Sequence, residues 1–274
     1  MKKFSLLFML LIGIVVLAAC GTEDKESSKE NKNTGTENAE NDLLAKVKES
    51  GELLVGTEGT YAPFTFHDES GKLTGFDVEV AEEIASRLGV KAKFMETQWD
   101  AMFPGLDSKR FDMIANQVGI KEERLEKYDF SDPYITSAAV LVTHAGSTDV
   151  KGFEDIKGLK SAQSLTSNYA EMAKSHGAEI VGVDGFIQAI ELLNSNRVDV
   201  TINDKLSVLD FQKQKPDAKI QIVAEADDAA QSGLMFRKGN ETLVEAVNEA
   251  LNEMIEDGTY EKISDKWFGE NVLE

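Results

Sequence analysis

One cysteine and three histidines bound the chemistry open to this 274-residue chain. Cys20 has no second thiol, so no disulfide can form within the chain. His67, His144 and His176 stand far apart, and neither they nor the thiol make a metal-ligand spacing. What remains is charge recognition. Arg124 carries a guanidinium whose paired donors fit a carboxylate, although spacing alone favours a surface pair with Glu122, Glu123 or Glu126. Asp204 follows an apolar run and precedes a helical run from Lys205. That is the place for a helix N-cap, or for an acid facing a cleft at a strand end. Thr166, Ser167, Asn168 and Tyr169 open another helical run. Its free N–H groups suit an anion, and the same residues also serve as plain caps.

The N-terminus tells where these groups work. Lys2 and Lys3 precede an apolar run from Phe4 to Leu17, closed by small residues and Cys20. The run is short for a spanning helix, which needs about 20 residues; its layout is that of a secretory signal. Leu17-Ala18-Ala19-Cys20-Gly21 resembles the bacterial lipobox. That resemblance implies a lipoprotein signal peptide over 1–19 and a diacylglycerol group on Cys20, which becomes the mature N-terminus. Residues 20–41, poor in apolar side chains, are predicted to form a flexible tether. The body is therefore expected outside the cytoplasmic membrane, held to it by the lipid. A formal net charge of −20 argues against nucleic acid or an anionic membrane surface as the main partner.

Strands and helices must position the candidate residues. About 230 residues follow the tether, room for two modest domains. Periodicity predicts strands over 52–57, 91–95 and 111–115, a hairpin-like excursion over 64–76, and helices over 77–88 and 100–108. After a strand over 138–143 the rhythm resumes, with strands at 159–163, 179–183, 198–202 and 219–223. Helices at 168–176, 186–194 and 205–214 alternate with them. A strand at 233–237 and helices over 241–267, broken near 257–258, end the chain. This βαβ rhythm predicts α/β architecture with largely parallel sheets. The final helices have no strands of their own to cover and are assigned to the first unit. The expectation is two lobes, 42–143 with 234–274 and 144–233, joined by crossings near 143–146 and 231–234. A small-molecule cleft lies between them.

Four segments make the body recognisable: Val55-Gly56-Thr57-Glu58-Gly59-Thr60-Tyr61-Ala62-Pro63-Phe64; Gly71-Lys72-Leu73-Thr74-Gly75-Phe76-Asp77-Val78; the stretch from Trp99 to Tyr134; and Asp257-Gly258-Thr259-Tyr260 through Lys266-Trp267-Phe268-Gly269. In order and spacing they resemble the polar amino-acid branch, family 3, of bacterial solute-binding proteins of ABC importers. The resemblance implies a type II periplasmic-binding-protein fold, with two lobes, two hinge crossings and an amino acid clamped between. It implies a permease partner and a monomer, with no cofactor, metal or catalytic residue. It assigns Arg124 to the ligand's α-carboxylate and Asp204 to its α-ammonium. Gly119 stands where the family often has a hydroxyl, which leaves only a backbone N–H for the carboxylate. Lys121 replaces a frequent threonine. Ser167 is the preferred contact among Thr166, Ser167, Asn168 and Tyr169, and Tyr61 and Trp99 line the first-lobe side of the pocket.

Glu58 bears on specificity. With Arg124 and Asp204 taken by the ligand's backbone charges, Glu58 adds a negative charge that is costly to bury unpaired. A second cationic group on the ligand resolves this; the alternative is a solvated glutamate at the rim. Asn116-Gln117-Val118, Tyr128-Asp129-Phe130-Ser131 and Asn168-Tyr169 resemble the cystine-binding members, and Gln117 is suited to the far end of so long a ligand. Cystine is thus ranked ahead of other polar or basic amino acids such as glutamine, arginine and histidine. A dehydratase-type enzyme on the same fold is the competing class. It needs an acid or base over a bond to be broken, whereas an amino acid's own charges already account for the candidates.

Overall fold

The computed structural model describes residues 42–273. The expected signal peptide, the tether and Cys20 lie outside them. In chain order the elements are α1 (Leu43–Ser50), β1 (Glu52–Thr57), β2 (Thr60–Tyr61), β3 (Thr65–His67), β4 (Leu73–Thr74), α2 (Phe76–Arg87), β5 (Lys91–Glu96), α3 (Trp99–Asp107), β6 (Met113–Ile114), α4 (Glu122–Leu125), β7 (Tyr128–Phe130) and β8 (Ile135–His144). There follow β9 (Lys160–Gln163), α5 (Asn168–Ser175), β10 (Glu179–Gly182), α6 (Phe186–Asn194), β11 (Val200–Asp204), α7 (Lys205–Gln214), β12 (Ile220–Ser232), β13 (Met235–Arg237), α8 (Glu241–Glu256) and α9 (Thr259–Phe268).

Two five-stranded sheets, ordered β5-β1-β6-β13-β7 and β10-β9-β11-β8-β12, form the frame, and β2-β3-β4 form a small third sheet. In each large sheet three strands run parallel. A fourth, β7 or β12, runs the same way, and one strand, β13 in the first sheet and β8 in the second, runs against the rest. The sheets are therefore mixed, where the rhythm predicts largely parallel ones. The reason lies beside the crossings, where β13 and β8 run opposite to the βαβ strands of their sheets. The strand expected at the end of the first unit, β8, pairs with β11 and β12 in the second sheet. By sheet membership the first crossing lies at 131–134, not near 143–146, and the second at 233–234. The buried run of β8 carries no signal of which sheet it joins.

Apolar faces decide the rest. Leu243, Val247, Leu251, Met254 and Tyr260 of α8 and α9 share one core cluster with Val80, Ala81 and Ile84 of α2, so the final helices do return to the first sheet. Trp99, Met102 and Leu106 of α3 gather with Phe111 and Ile114 in a second cluster. There the ring of Phe111 is wedged between backbones. A Cβ built on Gly56 or on Gly105 would come within 2.6 Å of it. Glycine at both positions lets β1 and α3 close on the ring, which fixes Trp99 beside the end of β1.

Gly56→Ala is expected to overpack this contact and destabilise the fold by about 1–3 kcal/mol. Part of the loss should return when Phe111 is also replaced by Leu, a non-additivity that urea unfolding of both singles and the double reads directly.

Candidate ligand-binding site

In each large sheet strand order reverses at the first βαβ strand, β1 or β9, whose neighbours on either side follow it in sequence. Ligand crevices open outside the carboxyl ends of strands at such points. The two crevices face one another across a shared cavity. Glu58, Tyr61, Trp99, Asn116 and Gln117 line it from one side, and Ser167, Asn168 and Tyr169 from the other. Gly119, Arg124, Thr166 and Asp204 are not in its wall. Gln163, Ser164, Phe186 and Asn203 are in it, although sequence reasoning did not select them. Gln163 and Ser164 stand at the end of β9 and Asn203 near the end of β11, so the strand order, once known, points to all three. Phe186 reads in sequence as any core phenylalanine.

Among the described residues, the acids of the site are held by hydrogen bonds without a cation. Glu58 accepts from Asn116 Nδ2 at 2.6 Å, while Asn116 Oδ1 accepts the Glu58 N–H at 2.8 Å. This reciprocal pair pins the carboxylate against the wall instead of leaving it free at a rim. Burial pushes Glu58 up to about 7, against the lowering effect of Asn116. Asp204 caps α7 by accepting Leu206 N–H at 2.8 Å, and burial pushes it up to about 6. Beside it Asn203 Oδ1 accepts the Tyr61 hydroxyl at 2.8 Å, a bond from one side of the cavity to the other. Asp77, fully buried in the first turn of α2, is raised to about 7 by burial. It binds Gln117 through the backbone N–H at 3.0 Å and Nε2 at 2.8 Å. The Gln117 amide nitrogen is thereby committed inside the protein, and only its oxygen remains for a ligand. The Ser167 hydroxyl is likewise engaged, capping Ala170 N–H at 3.0 Å and donating to Ser164 O at 2.8 Å.

The cation is equally unanswered. Arg124 is 7% exposed, and its Nη1 donates to Gly119 O at 3.0 Å. Its guanidinium carbon lies 5.8 Å from the centre of the Trp99 ring and 5.4 Å from that of Phe103. Among the described residues no carboxylate stands within 4.0 Å of it; Glu123 sits 3.7 Å from Lys121 instead. Burial lowers its pKa from the usual arginine value, opposed by Glu171 and Glu123. Two more donors nearby lack acceptors: the buried Trp99 Nε1 and, among the described residues, the Gly119 N–H. A Cβ on Gly119 would lie 3.6 Å from Arg124 Nη1, an ordinary contact. Glycine therefore leaves space beside the guanidinium that a hydroxyl side chain would occupy.

The mouth is tied shut from both sides. Asp100 of α3 accepts Leu165 N–H at 3.2 Å, Thr166 N–H at 3.0 Å and the Thr166 hydroxyl at 2.7 Å. Lys121 reaches Glu171 at 2.6 Å, and the Ser207 hydroxyl donates to Ala62 O at 2.7 Å. Thr166 thus belongs to the closure and not to the wall.

Two α/β sheets facing each other across a closed cleft, with the ligand crevice at both switch points, define a solute-binding protein of the type II fold. The chain belongs to the bacterial extracellular solute-binding proteins, family 3, whose family model matches residues 53–270. It is 51% identical to the L-cystine-binding protein TcyA of Bacillus subtilis, covering 99% of each chain. An ancestral arginine-binding protein bound to arginine superimposes with a TM-score of 0.76 at 41% identity, over 80% of this chain and 98% of that one. The L-cystine solute receptor of Neisseria gonorrhoeae, unliganded and open, gives 0.56 at 49% identity, over 84% and 99%. The higher score at lower identity falls to the ligand-bound structure, in keeping with the contacts across the mouth. Membership of an extracellular family sets the body outside the cytoplasm.

Asp100→Ala is expected to raise the dissociation rate of every ligand by a similar factor of several-fold and to leave their ranking unchanged, as stopped-flow fluorescence would show. The raised acids predict a pH response whose sign follows from linkage. Between about pH 4 and 7 the folded chain holds protons that the unfolded chain has lost, so ligand-free stability falls as pH rises through that window. A cationic ligand group reverses the preference. Its binding at pH 6 expels protons and at pH 8 expels almost none, measurable by calorimetry in buffers of different ionisation enthalpy.

Proposed function

We propose that this protein captures an amino acid outside the cytoplasmic membrane and delivers it to the permease of an ABC importer, with cystine as the ligand. The observation that carries the reading is Arg124: a buried guanidinium without an acid, beside the unused donors of Gly119 and Trp99. Breaking or omitting one side of a buried charge pair is strongly unfavourable, and a ligand carboxylate supplies the missing side. Asp204 then takes the α-ammonium and Glu58 a second ammonium. Cystine has both carboxylates and both ammonium groups, and the named binding protein of Bacillus subtilis and the receptor of Neisseria gonorrhoeae support it over other amino acids. A basic amino acid is the second reading, favoured by the same Glu58 and by the arginine-bound likeness.

Delivery is by a tethered body. The signal peptide over 1–19 is removed, Cys20 carries the lipid, and residues 20–41 give reach to a monomer whose lobes close on the ligand. The cleft holds its ligand without a catalytic step. Calorimetric titration with cystine, glutamine, arginine and histidine decides the ligand. Arg124→Ala is expected to weaken the bound amino acid by about a hundredfold or more. Unchanged affinity for every amino acid would sink the site assignment.

A further inference from the structure

One buried acid has no part in this clamp. Asp77 accepts three hydrogen bonds, from Gln117 N–H at 3.0 Å, Gln117 Nε2 at 2.8 Å and the Tyr134 hydroxyl at 3.0 Å. In its ionised form Asp77 only accepts, so the amide edge turned toward it is the NH2 edge. The second Nε2 hydrogen goes to the Tyr134 oxygen at 3.3 Å, which is free to accept because its own hydrogen points at Asp77. Both Nε2 hydrogens are thus used, and no donor among the described residues meets Gln117 Oε1. Gln117 lines the cavity, and Oε1 is the one polar side-chain atom it has left to offer. Its backbone lies in the left-handed region at φ 53, uncommon for a residue with a side chain, and the bond to Asp77 Oδ2 holds it there. The preceding residue, Asn116, fixes Glu58.

We propose that Asp77 is a positioning residue: it locks the Gln117 amide with its oxygen toward the cavity, so that Glu58 and Gln117 together select a ligand with a primary ammonium at its far end. The inference rests on the amino-acid reading above. A distal carboxylate alone meets two acceptors and no donor there. An added ammonium brings three hydrogens to them.

The test compares L-cystine with the mixed disulfide of L-cysteine and 3-sulfanylpropanoic acid, which lacks only the distal amino group. The wild-type protein is expected to bind cystine roughly tenfold to a hundredfold tighter, the range for hydrogen bonds to a charged group. Asp77→Asn offers Gln117 an N–H in place of an oxygen and lets its amide turn over, which should collapse that ratio while affinity for the mixed disulfide holds. Gln117→Met leaves Asp77 intact, is expected to collapse the ratio in the same way, and keeps the test valid if Asp77→Asn misfolds. Equal binding of the two ligands by the wild type, or a ratio that survives Gln117→Met, overturns the inference while leaving amino-acid capture standing. A wild type that binds neither ligand would instead end the cystine reading, and the inference with it.

Discussion

A guanidinium buried against two aromatic rings and three carboxylates buried without a cation cannot all be satisfied by the protein alone. They do not cancel one another because the fold keeps them apart. Arg124 is turned toward Gly119 O and the rings of Trp99 and Phe103, whereas Glu58, Asp77 and Asp204 are tied to Asn116, Gln117 and Leu206. Each group is partly satisfied, enough to keep its place; Asp77 stays behind the wall, whereas Arg124, Glu58 and Asp204 keep a deficit that a molecule with both signs of charge can fill. A zwitterion of the right length does this. The same deficit explains why burial raises the acids and lowers the arginine.

The crossing strands connect this deficit to movement. Gly119 forms a bridge with Ser232 at the end of β12, and Ile120 N–H and Gly233 N–H bond Gln231 O and Val118 O on either side of it. The Ser131 hydroxyl, in the other crossing, accepts Leu234 N–H at 2.9 Å. The unused Gly119 N–H and the carbonyl that holds Arg124 therefore sit against the second crossing, beside Ser232. A carboxylate bound there would meet both sheets at their junction. Capture and closure use the same few residues, with Asp100 fastening the far edge.

Much of this was legible in the sequence, for identifiable reasons. The strand at Glu52–Thr57 and the helices at Phe186–Asn194 and Lys205–Gln214 stand where burial periodicity sets them. Periodicity reports which face is buried and not which strand lies alongside, so it leaves β8 with the first unit, whereas the structure pairs it in the second sheet. Motif resemblance brought Glu58, Tyr61, Trp99, Asn116 and Gln117 to one wall. It gave no account of Asp77, whose partners lie 40 and 57 residues away. For Ser167, which it made the preferred contact with capping as the alternative, the hydroxyl caps α5 at the cavity wall. For Arg124, spacing alone favours an ion pair with a neighbouring glutamate and the resemblance a ligand carboxylate. Among the described residues the structure leaves no carboxylate within 4.0 Å of it and pairs Glu123 with Lys121.

Acids with pKa values near neutrality are also what a proton-transfer enzyme prepares, so the values alone do not separate the two classes. The hydrogen bonds are more telling. Glu58 is fixed by the Asn116 amide, Asp204 caps a helix, and Asp77 lies behind the wall with three donors on it. A general base must give up such partners, or reach past them, to take a proton from carbon. A group that only has to stay charged opposite an ammonium gains from keeping them. The same surroundings that make these acids poor bases make Glu58 and Asp204 firm counter-charges for a cationic ligand.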